Sequence, residues 1–253
     1  MSVMQLNSIN RQRIDWTDFK AKVTARAQGA QTIADIYPAI SYALGLINDH
    51  HSFYVTAGGQ GVGNPSSRAC SGSTVPNASV PADVGYVRIA EFSDPNPTTL
   101  IAFADGIQRQ IRDADRDGLV GWIVDVRGNR GGNMWPMVAG VGPVLGESLL
   151  GYFVPPIGLD QAWFYSNGRA TLDGSSLGSV SVTYTLRRPS PRVALLTDGL
   201  VASSGEAVVV AFRGRPNTRS FGTPTCGLST AYAQFRLSDN ASLHHSLSNA
   251  FNK

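Results

Sequence analysis

Charge is sparse in this sequence, and long apolar runs are absent. Only 15% of the 253 residues are charged, the formal net charge is +3, and the basic residues are spread along the chain. Proteins that bind nucleic acid usually carry a cluster of basic residues, and without one a nucleic-acid partner is not expected. No stretch of about 18 apolar residues occurs, so no membrane-spanning helix is expected. The first residues lack the apolar block of a signal peptide, and Met1 can be a natural start or one added after trimming.

Cysteine and histidine are also scarce. Cys70 and Cys226 are the only cysteines, and neither lies in a pair motif for metal or redox chemistry, so a disulfide and two free thiols are equally compatible with the sequence. The four histidines form adjacent pairs at 50–51 and 244–245, without the helical spacing and third ligand of a zinc site. P-loop and dinucleotide-binding patterns are missing. We therefore expect neither a metal nor a cofactor.

The residue patterns divide the sequence into three parts. Residues 1–56 carry apolar side chains at helical spacing and are predicted to form an N-terminal helical segment. Residues 57–84 are rich in Gly, Ser, Pro and Asn and are predicted to form a long loop. Residues 85–253 alternate apolar strands with helices, which predicts an α/β fold with ββα-like units. A strand edge is predicted at 182–191 and the last strand near 220–224.

A turn of small residues follows one predicted strand. In LLTDGLVASSGEAVVVAF, residues 195–212, Ser203 and Ser204 stand directly before an apolar helix. A hydroxyl there suits a nucleophile, because the positive end of a helix stabilises a developing oxyanion. Serine is also a favoured N-cap residue, and local physics alone favours the cap by about two to one. The G-x-S-x-G pattern of the α/β-hydrolases is absent.

A second turn is rich in glycine. In VDVRGNRGGN, residues 124–133, three glycines surround Asn129 and Arg130. Glycine lets the backbone turn sharply and point its N–H groups outward, an arrangement that can hold an anion or a developing oxyanion. A turn needed only for packing explains the same residues equally well. The local pattern leaves both interpretations open.

Four segments taken together resemble a known family. GYVRI, VDVRGNRGG, LLTDGLVASSGE and FGTPTCG stand in the order and spacing of the S41 peptidases, the tail-specific or C-terminal processing proteases with their tricorn-like branch. The resemblance runs from about Asp15 to about Leu237. It implies a Clp-protease/crotonase-like ββα core with an N-terminal helical segment, and a serine endopeptidase that acts on a polypeptide substrate.

The resemblance also implies roles for individual residues. The serine motif of the family falls on Ser203, which is the implied nucleophile, and the backbone N–H of Ser204 is implied to help form the oxyanion hole. Gly131 or Gly132 is the implied second donor, and the resemblance does not choose between them. Such donors typically contribute about 3 kcal/mol each to transition-state stabilisation.

The general base departs from one branch of the family. Processing proteases carry a lysine after the G-x-P-T-x-G segment, whereas Leu228 and Ser229 follow it here. The resemblance therefore implies the tricorn-like arrangement, in which an upstream histidine is the base. The D-x-H-S stretch puts that role on His51, with His50 as the alternative. Adjacent side chains do not point the same way, so at most one of the two serves.

The acid that orients the histidine has no clear match in the resemblance. The glutamate that the tricorn-like branch carries beyond the last strands is not found before Lys253, and Glu206, Asp49 and Asp239 are the alternatives. The chain also leaves no room for a PDZ insert before the core. The missing acid keeps a second function in view, a non-catalytic module that binds a ligand or peptide on the same fold.

The resemblance also bears on the cellular location of the protein. Relatives in this family are mostly exported, which implies a periplasmic or extracellular protein. That location is compatible with a disulfide between Cys70 and Cys226. The sequence indicates no oligomeric state.

Overall fold

Both helices and strands are found along the described chain, as the sequence predicts. The computed structural model describes residues 2–72 and 79–251, and its mixed α/β fold confirms the predicted class. Contacts divide the chain into two units. The first contains the described residues of Met1–Ala69, Val154–Leu159 and Thr230–Asn249, and the second contains those of Cys70–Phe153, Asp160–Ser229 and Ala250–Lys253.

Six α-helices and twelve strands are found in the described residues. The helices are α1 (Ser2–Asn7), α2 (Trp16–Ala27), α3 (Tyr37–Ile47), α4 (Pro97–Ala114), α5 (Met134–Leu145) and α6 (Ser204–Arg213). The strands are β1 (Phe53–Val55), β2 (Gly61–Val62), β3 (Val84–Arg88), β4 (Gly121–Asp125), β5 (Ser148–Val154), β6 (Gln161–Ser166), β7 (Arg169–Leu172), β8 (Ser175–Ser179), β9 (Val193–Thr197), β10 (Thr218–Gly222), β11 (Thr230–Arg236) and β12 (Ser242–Phe251).

The first unit packs helices and short antiparallel strands around one core. Asp15 caps the first turn of α2, and Phe19 and Val23 of that helix are buried, as their helical spacing predicts. β1 pairs with β2 and with β12, and β12 pairs with β11. The helical segment predicted for residues 1–56 therefore shares its core with strands from the far end of the chain.

The C-terminal hairpin differs from the prediction. The strand expected near residues 220–224 is β10, but β11 and β12 follow it. Several buried side chains of β12 are polar, His245 and Ser246 among them, so apolar periodicity does not reveal the strand. The strand edge expected at 182–191 was wrong. There, a side chain of α4 and that of Asp115, directly after α4, accept backbone N–H groups that a neighbouring strand would otherwise bind.

The second unit is built on a parallel sheet in the order β10, β9, β4, β3. Val87, Val124 and Leu195, one from each of three neighbouring strands, are fully buried. Helix α4 begins at the predicted cap, where Asn96 accepts the N–H of Thr98, and the later part of its apolar stripe, within residues 104–111, is buried. Strands β5 to β8 pair in sequence as an antiparallel meander.

Parallel pairing brings two turns to one edge of this sheet. β4 and β9 are neighbours, with Asp125 opposite Leu196. The glycine turn, residues 126–133, leaves the carboxyl end of β4, and the serine turn, residues 198–203, leaves the carboxyl end of β9. In α/β folds, ligand sites form at this edge.

Cys70 and Cys226 form a disulfide, so of the two states that the sequence allows, the paired one is found. The N–H of Cys226 donates to the carbonyl of Val201 at 2.8 Å. Next to Cys70, the Ser71 carbonyl packs so closely on Gly199 that a Cβ there would lie 2.1 Å from its oxygen. The disulfide therefore joins two segments that both contact the serine turn.

Replacing both cysteines by serine is expected to lower the free energy of unfolding by about 2–5 kcal/mol, because a cross-link over a long loop restricts the unfolded chain. The two cysteines are 156 residues apart. Urea unfolding of the wild type and of Cys70→Ser/Cys226→Ser, each with and without reductant, measures the effect. Reductant should lower the wild-type midpoint to that of the variant and leave the variant unchanged. Equal midpoints for the oxidised wild type and the variant would contradict a stabilising cross-link.

Candidate active site

The serine turn holds Ser203 in a strained backbone conformation. Its φ is 52° and its ψ is −122°, a combination that residues with a Cβ rarely adopt and that costs about 1–3 kcal/mol. Ser203 occupies the N-cap position of α6, but its side chain makes no capping hydrogen bond. The capping role favoured by local sequence is therefore wrong. Strained residues of this kind cluster at active sites, where the surrounding fold holds them in place.

Three hydrogen bonds join the serine turn to the glycine turn. They run from the Gly128 N–H to Asp198 Oδ1 at 3.1 Å, from the Ala202 N–H to the Asn129 carbonyl at 3.0 Å, and from Ser204 Oγ to the Gly132 carbonyl at 2.7 Å. We refer to the two joined turns as the cradle. One consequence is that the Ser204 hydroxyl already has an acceptor.

The two glycines implied as oxyanion donors differ in what their N–H groups do. The Gly131 N–H donates to Asn129 Oδ1 at 2.8 Å. Within residues 2–72 and 79–251, the N–H groups of Gly132 and Ser204 have no hydrogen-bond acceptor. Gly131 instead allows the two turns to pack closely, because it has no side chain. At its φ of 107°, a Cβ would lie 2.7 Å from the Cβ of Ser203.

A buried carboxylate anchors the start of the glycine turn. Asp125 Oδ1 accepts the backbone N–H of Arg127 at 3.0 Å and its Nε–H at 2.9 Å. Asp125 Oδ2 accepts Arg127 Nη2 at 2.8 Å and the Tyr86 hydroxyl at 2.9 Å. Burial opposes ionisation, but the hydrogen bonds from Arg127 and Tyr86 outweigh it and lower the pKa of Asp125. The carboxylate is thus charged at neutral pH and fixes the end of β4.

Glu206, one of the three candidate orienting acids, is used within the second unit. Its side chain is buried, and its two carboxylate oxygens accept the N–H groups of Gly227 at 2.7 Å and Leu228 at 2.5 Å. Those residues directly follow Cys226. Glu206 therefore fastens the first turn of α6 to the segment that carries the disulfide.

In the first unit, the histidine pair lies in a turn between α3 and β1. Asn48 and His50 have positive φ values, 52° and 62°. His50 Nδ1 lies 2.5 Å from the carbonyl oxygen of Ser66, and His51 Nδ1 lies 2.6 Å from Thr230 Oγ1. The two rings point to different partners, as expected for adjacent residues.

Strand β11 supplies side chains that contact the His51 ring. Besides Thr230, Tyr232 meets the ring edge-on, with 5.8 Å between centroids. When a hydroxyl accepts the Nδ1–H of histidine, Nε2 is left as the basic nitrogen. Sequence reasoning missed Thr230, because its strand was not predicted and the contact joins residues 179 positions apart.

The other two candidate acids bind backbone N–H groups. Asp49 is buried, and its Oδ1 accepts the N–H groups of His51 at 3.1 Å and Ser52 at 2.9 Å. Asp239 Oδ1 accepts the N–H of Ala241 at 3.1 Å, in the turn between β11 and β12. Asp49 thus reaches His51 through its main chain.

The candidate residues divide between the two units. Those of the second unit are Ser203, Ser204, Gly131, Gly132 and Glu206, and those of the first are His50, His51, Asp49 and Asp239. In the described part of the chain, no group of three His, Cys, Asp or Glu side chains is arranged to hold a metal ion. No helix there has the length and apolar character that a membrane span needs.

Sequence comparison matches most of the chain to one family. The family model described as Peptidase family S41 matches residues 83–253. The chain is also 26% identical over 229 residues to the nisin-resistance protein of Lactococcus lactis subsp. lactis, in a match that covers 90% of this chain and 68% of that protein.

Solved structures share the fold. A lipoprotein from Streptococcus agalactiae superimposes with a TM-score of 0.74 at 18% identity, covering 100% of this chain and 83% of that chain. The photosystem II D1 C-terminal processing protease superimposes with a TM-score of 0.58 at 14% identity, covering 99% of this chain and 86% of that chain. At such identities, the likeness establishes a common fold.

Gly131→Ala is expected to disrupt the cradle. Its Cβ would lie 2.7 Å from Ser203 Cβ and 2.9 Å from both the Ala202 carbonyl oxygen and the Ser204 nitrogen. Gly118→Ala is the matched control, since Gly118 has a φ of 85° and open space around it. The control should lose about 1 kcal/mol of unfolding free energy from backbone strain, and Gly131→Ala about 1–3 kcal/mol more from overpacking. Urea unfolding measures both, and equal losses would contradict the close packing.

Proposed function

Because the chain belongs to peptidase family S41, we propose that it is a serine endopeptidase in which the Ser203 hydroxyl attacks the carbonyl of a peptide bond. The family model matches residues 83–253 and so establishes the family. Members of this family are serine-type peptidases, which hydrolyse polypeptides. The observation that carries the finer proposal is the strained, non-capping conformation of Ser203. Tail specificity and a crotonase-like core remain predictions from the resemblance.

Two features support Ser203 over Ser204 as the nucleophile. The Ser204 hydroxyl donates to the Gly132 carbonyl, whereas the Ser203 side chain caps no N–H group of α6. Ser203 also precedes a helix of ten residues, whose positive end favours the negative charge that develops during attack. Backbone strain at Ser203 has a physical reason if the hydroxyl must project from the turn toward a substrate.

We assign the oxyanion hole to the N–H groups of Gly132 and Ser204. Neither group has an acceptor within the described residues, and the Ser204 N–H directly follows the proposed nucleophile. The Gly131 N–H is a weaker candidate because it donates to Asn129. Two such donors would each contribute about 3 kcal/mol of transition-state stabilisation.

We propose His51 as the general base. With Nδ1 against Thr230 Oγ1, Nε2 is the nitrogen that would take the Ser203 proton and return it to the leaving amine. The acyl-enzyme formed in this way is then hydrolysed by a water that His51 activates. Ser203 and His51 belong to different units, so the mechanism requires them to come within about 3 Å of each other.

In this proposal the group that orients His51 is a hydroxyl. Thr230 Oγ1 accepts the Nδ1–H in the tautomer that the mechanism requires. The engagement of Glu206, Asp49 and Asp239 with backbone N–H groups favours the alternative function, a non-catalytic module that binds a ligand or peptide.

We propose a location outside the cytoplasm, in the periplasm or the extracellular space. The Cys70–Cys226 disulfide is a bond that persists in oxidising compartments and is rare in the cytosol. A structural neighbour is described as a lipoprotein, which supports the same proposal.

A fluorophosphonate probe is expected to label the wild type and Ser204→Ala but not Ser203→Ala, because only an activated Ser203 forms the covalent adduct. His51→Ala should slow labelling by about 100-fold or more, since the proton acceptor is lost. Intact-mass spectrometry measures labelling, and circular dichroism checks that each variant is folded. Labelling that persists in Ser203→Ala would contradict the assignment. Absence of labelling in the wild type would favour the binding module.

Thr230→Val is expected to lower kcat by about tenfold or more while KM changes little, because the loss concerns the orientation of His51 and not substrate contacts. Thr230→Ser is the matched control, since it keeps the hydroxyl that faces Nδ1. Hydrolysis of a peptide panel measures both constants, with nisin included because the name of the sequence relative refers to it. Equal kcat values for the two variants would exclude the proposed role of the hydroxyl.

A further inference from the structure

A buried polar network lies next to His51 in the chain, centred on the hydroxyl of Ser52. Ser52 Oγ donates to Asp49 Oδ2, accepts the N–H of Ser246 at 2.9 Å and lies 2.9 Å from His245 Nδ1. Ser52 is 1% exposed, Asp49 is 6% exposed, and His245 and Ser246 are 0% exposed. Burying a polar group costs free energy unless the group is hydrogen-bonded. A buried network whose hydrogen bonds are formed makes the surrounding structure more rigid.

The Ser52 hydroxyl determines which nitrogen of His245 carries a hydrogen. A hydroxyl has one hydrogen and two lone pairs. The hydrogen goes to the Asp49 carboxylate and one lone pair accepts the Ser246 N–H. The second lone pair can only accept, so His245 Nδ1 is the protonated nitrogen. Nε2 then keeps a lone pair.

The charge state of His245 agrees with this arrangement. Burial lowers the pKa of His245, although the Asp49 carboxylate, 3.9 Å from Nδ1, and a backbone hydrogen bond with Met4 act in the opposite direction. A neutral ring with its hydrogen on Nδ1 satisfies Ser52 and places no second charge in the interior. Asp49 therefore has a hydroxyl donor on one oxygen in place of an ion pair.

The other oxygen of Asp49 holds the main chain of the proposed base. Oδ1 accepts the N–H groups of His51 and Ser52, in a turn where Asn48 and His50 both have positive φ. Residues with a Cβ adopt that conformation only when neighbouring interactions stabilise it. Asp49 supplies such interactions directly beside His51.

Strand β12 completes the support. His245 and Ser246 hold Ser52 through its hydroxyl, and Ser246 Oγ lies 3.3 Å from Thr230 Oγ1, the group that contacts His51 Nδ1. The main chain and the ring of His51 are thus tied to the same strand by two routes. If the hydrogen bonds of Ser52 or of Thr230 were lost, the orientation of the His51 ring would change.

We infer that Asp49, Ser52 and His245 are positioning residues that set the orientation of His51. The inference rests on the proposed role of His51 as general base. Asp49 holds the main chain, Ser52 joins Asp49 to β12, and the Nδ1–H of His245 fixes the Ser52 hydroxyl. None of the three acts on the substrate in this scheme.

NMR of imidazole nitrogens tests the hydrogen-bond scheme. In protein labelled with [15N]histidine, His245 should show a protonated Nδ1 and an unprotonated Nε2. In Asp49→Asn, the amide NH2 would donate to Ser52 Oγ, so the Ser52 hydrogen would turn to His245 Nδ1 and the ring proton would move to Nε2. A protonated Nε2 in the wild type, or no change of tautomer in Asp49→Asn, would overturn the scheme.

Kinetics test the positioning role. Asp49→Ala should lower kcat by about 10–100-fold with KM changed by less than about threefold, as expected when a catalytic group is misplaced. Asp49→Asn keeps an oxygen for both N–H groups and should recover most of that loss. Asp35→Ala is the matched control, because Asp35 also accepts two backbone N–H groups, those of Gln31 and Thr32 at 3.0 and 2.9 Å, and its kcat should stay at the wild-type value. An equal fall of kcat in both alanine variants would overturn the inference.

The His51 resonances separate this inference from the proposed function. Full hydrolysis by His51→Ala would remove the proposed function, and the orientation of His51 would then be judged from its Nδ1 signal alone. A changed His51 Nδ1 signal in Asp49→Ala, with Asp35→Ala as the control, supports the positioning role. An unchanged signal overturns it, whatever the hydrolytic activity.

Discussion

Three hydrogen bonds, from Gly128 to Asp198, Ala202 to Asn129 and Ser204 to Gly132, tie two turns at one edge of the parallel sheet into a cradle. They are possible because β4 and β9 are neighbours and run in the same direction, so that both chains emerge side by side. The strained backbone of Ser203 persists because this framework holds it. A glycine at 131 is needed where the turns touch. The nucleophile and oxyanion donors proposed here all depend on that arrangement.

Two hydroxyl groups lie in the surroundings of the proposed base. Thr230 faces the Nδ1 of His51, and Ser52 links Asp49 to β12. The three acidic side chains considered for the role of orienting acid each accept backbone N–H groups. In these contacts the charged side chains stabilise turns, and a neutral hydroxyl contacts the imidazole of His51.

Much of the second unit could be predicted from the sequence because its signals are local. The apolar strands of the parallel sheet, the Asn96 cap of α4 and the helix after the serine turn are found where the residue pattern places them. The α/β class and the peptidase family were predicted and are confirmed. β11 and β12 escaped prediction because polar side chains such as His245 are buried there in hydrogen bonds. Thr230 was missed with its strand.

By itself, the sequence determined the family, the fold class and the short list of residues that could act on a substrate. Only the tertiary structure decided what each polar atom binds. It shows that Ser203 is not a cap, that Ser204 donates to Gly132, and that the Gly131 N–H is engaged while that of Gly132 is not. The physical reason is that a hydrogen bond depends on two atoms meeting at about 3 Å. Residue patterns do not encode that distance, either within a turn, as for Gly131 and Asn129, or between distant segments, as for Ser204 and Gly132.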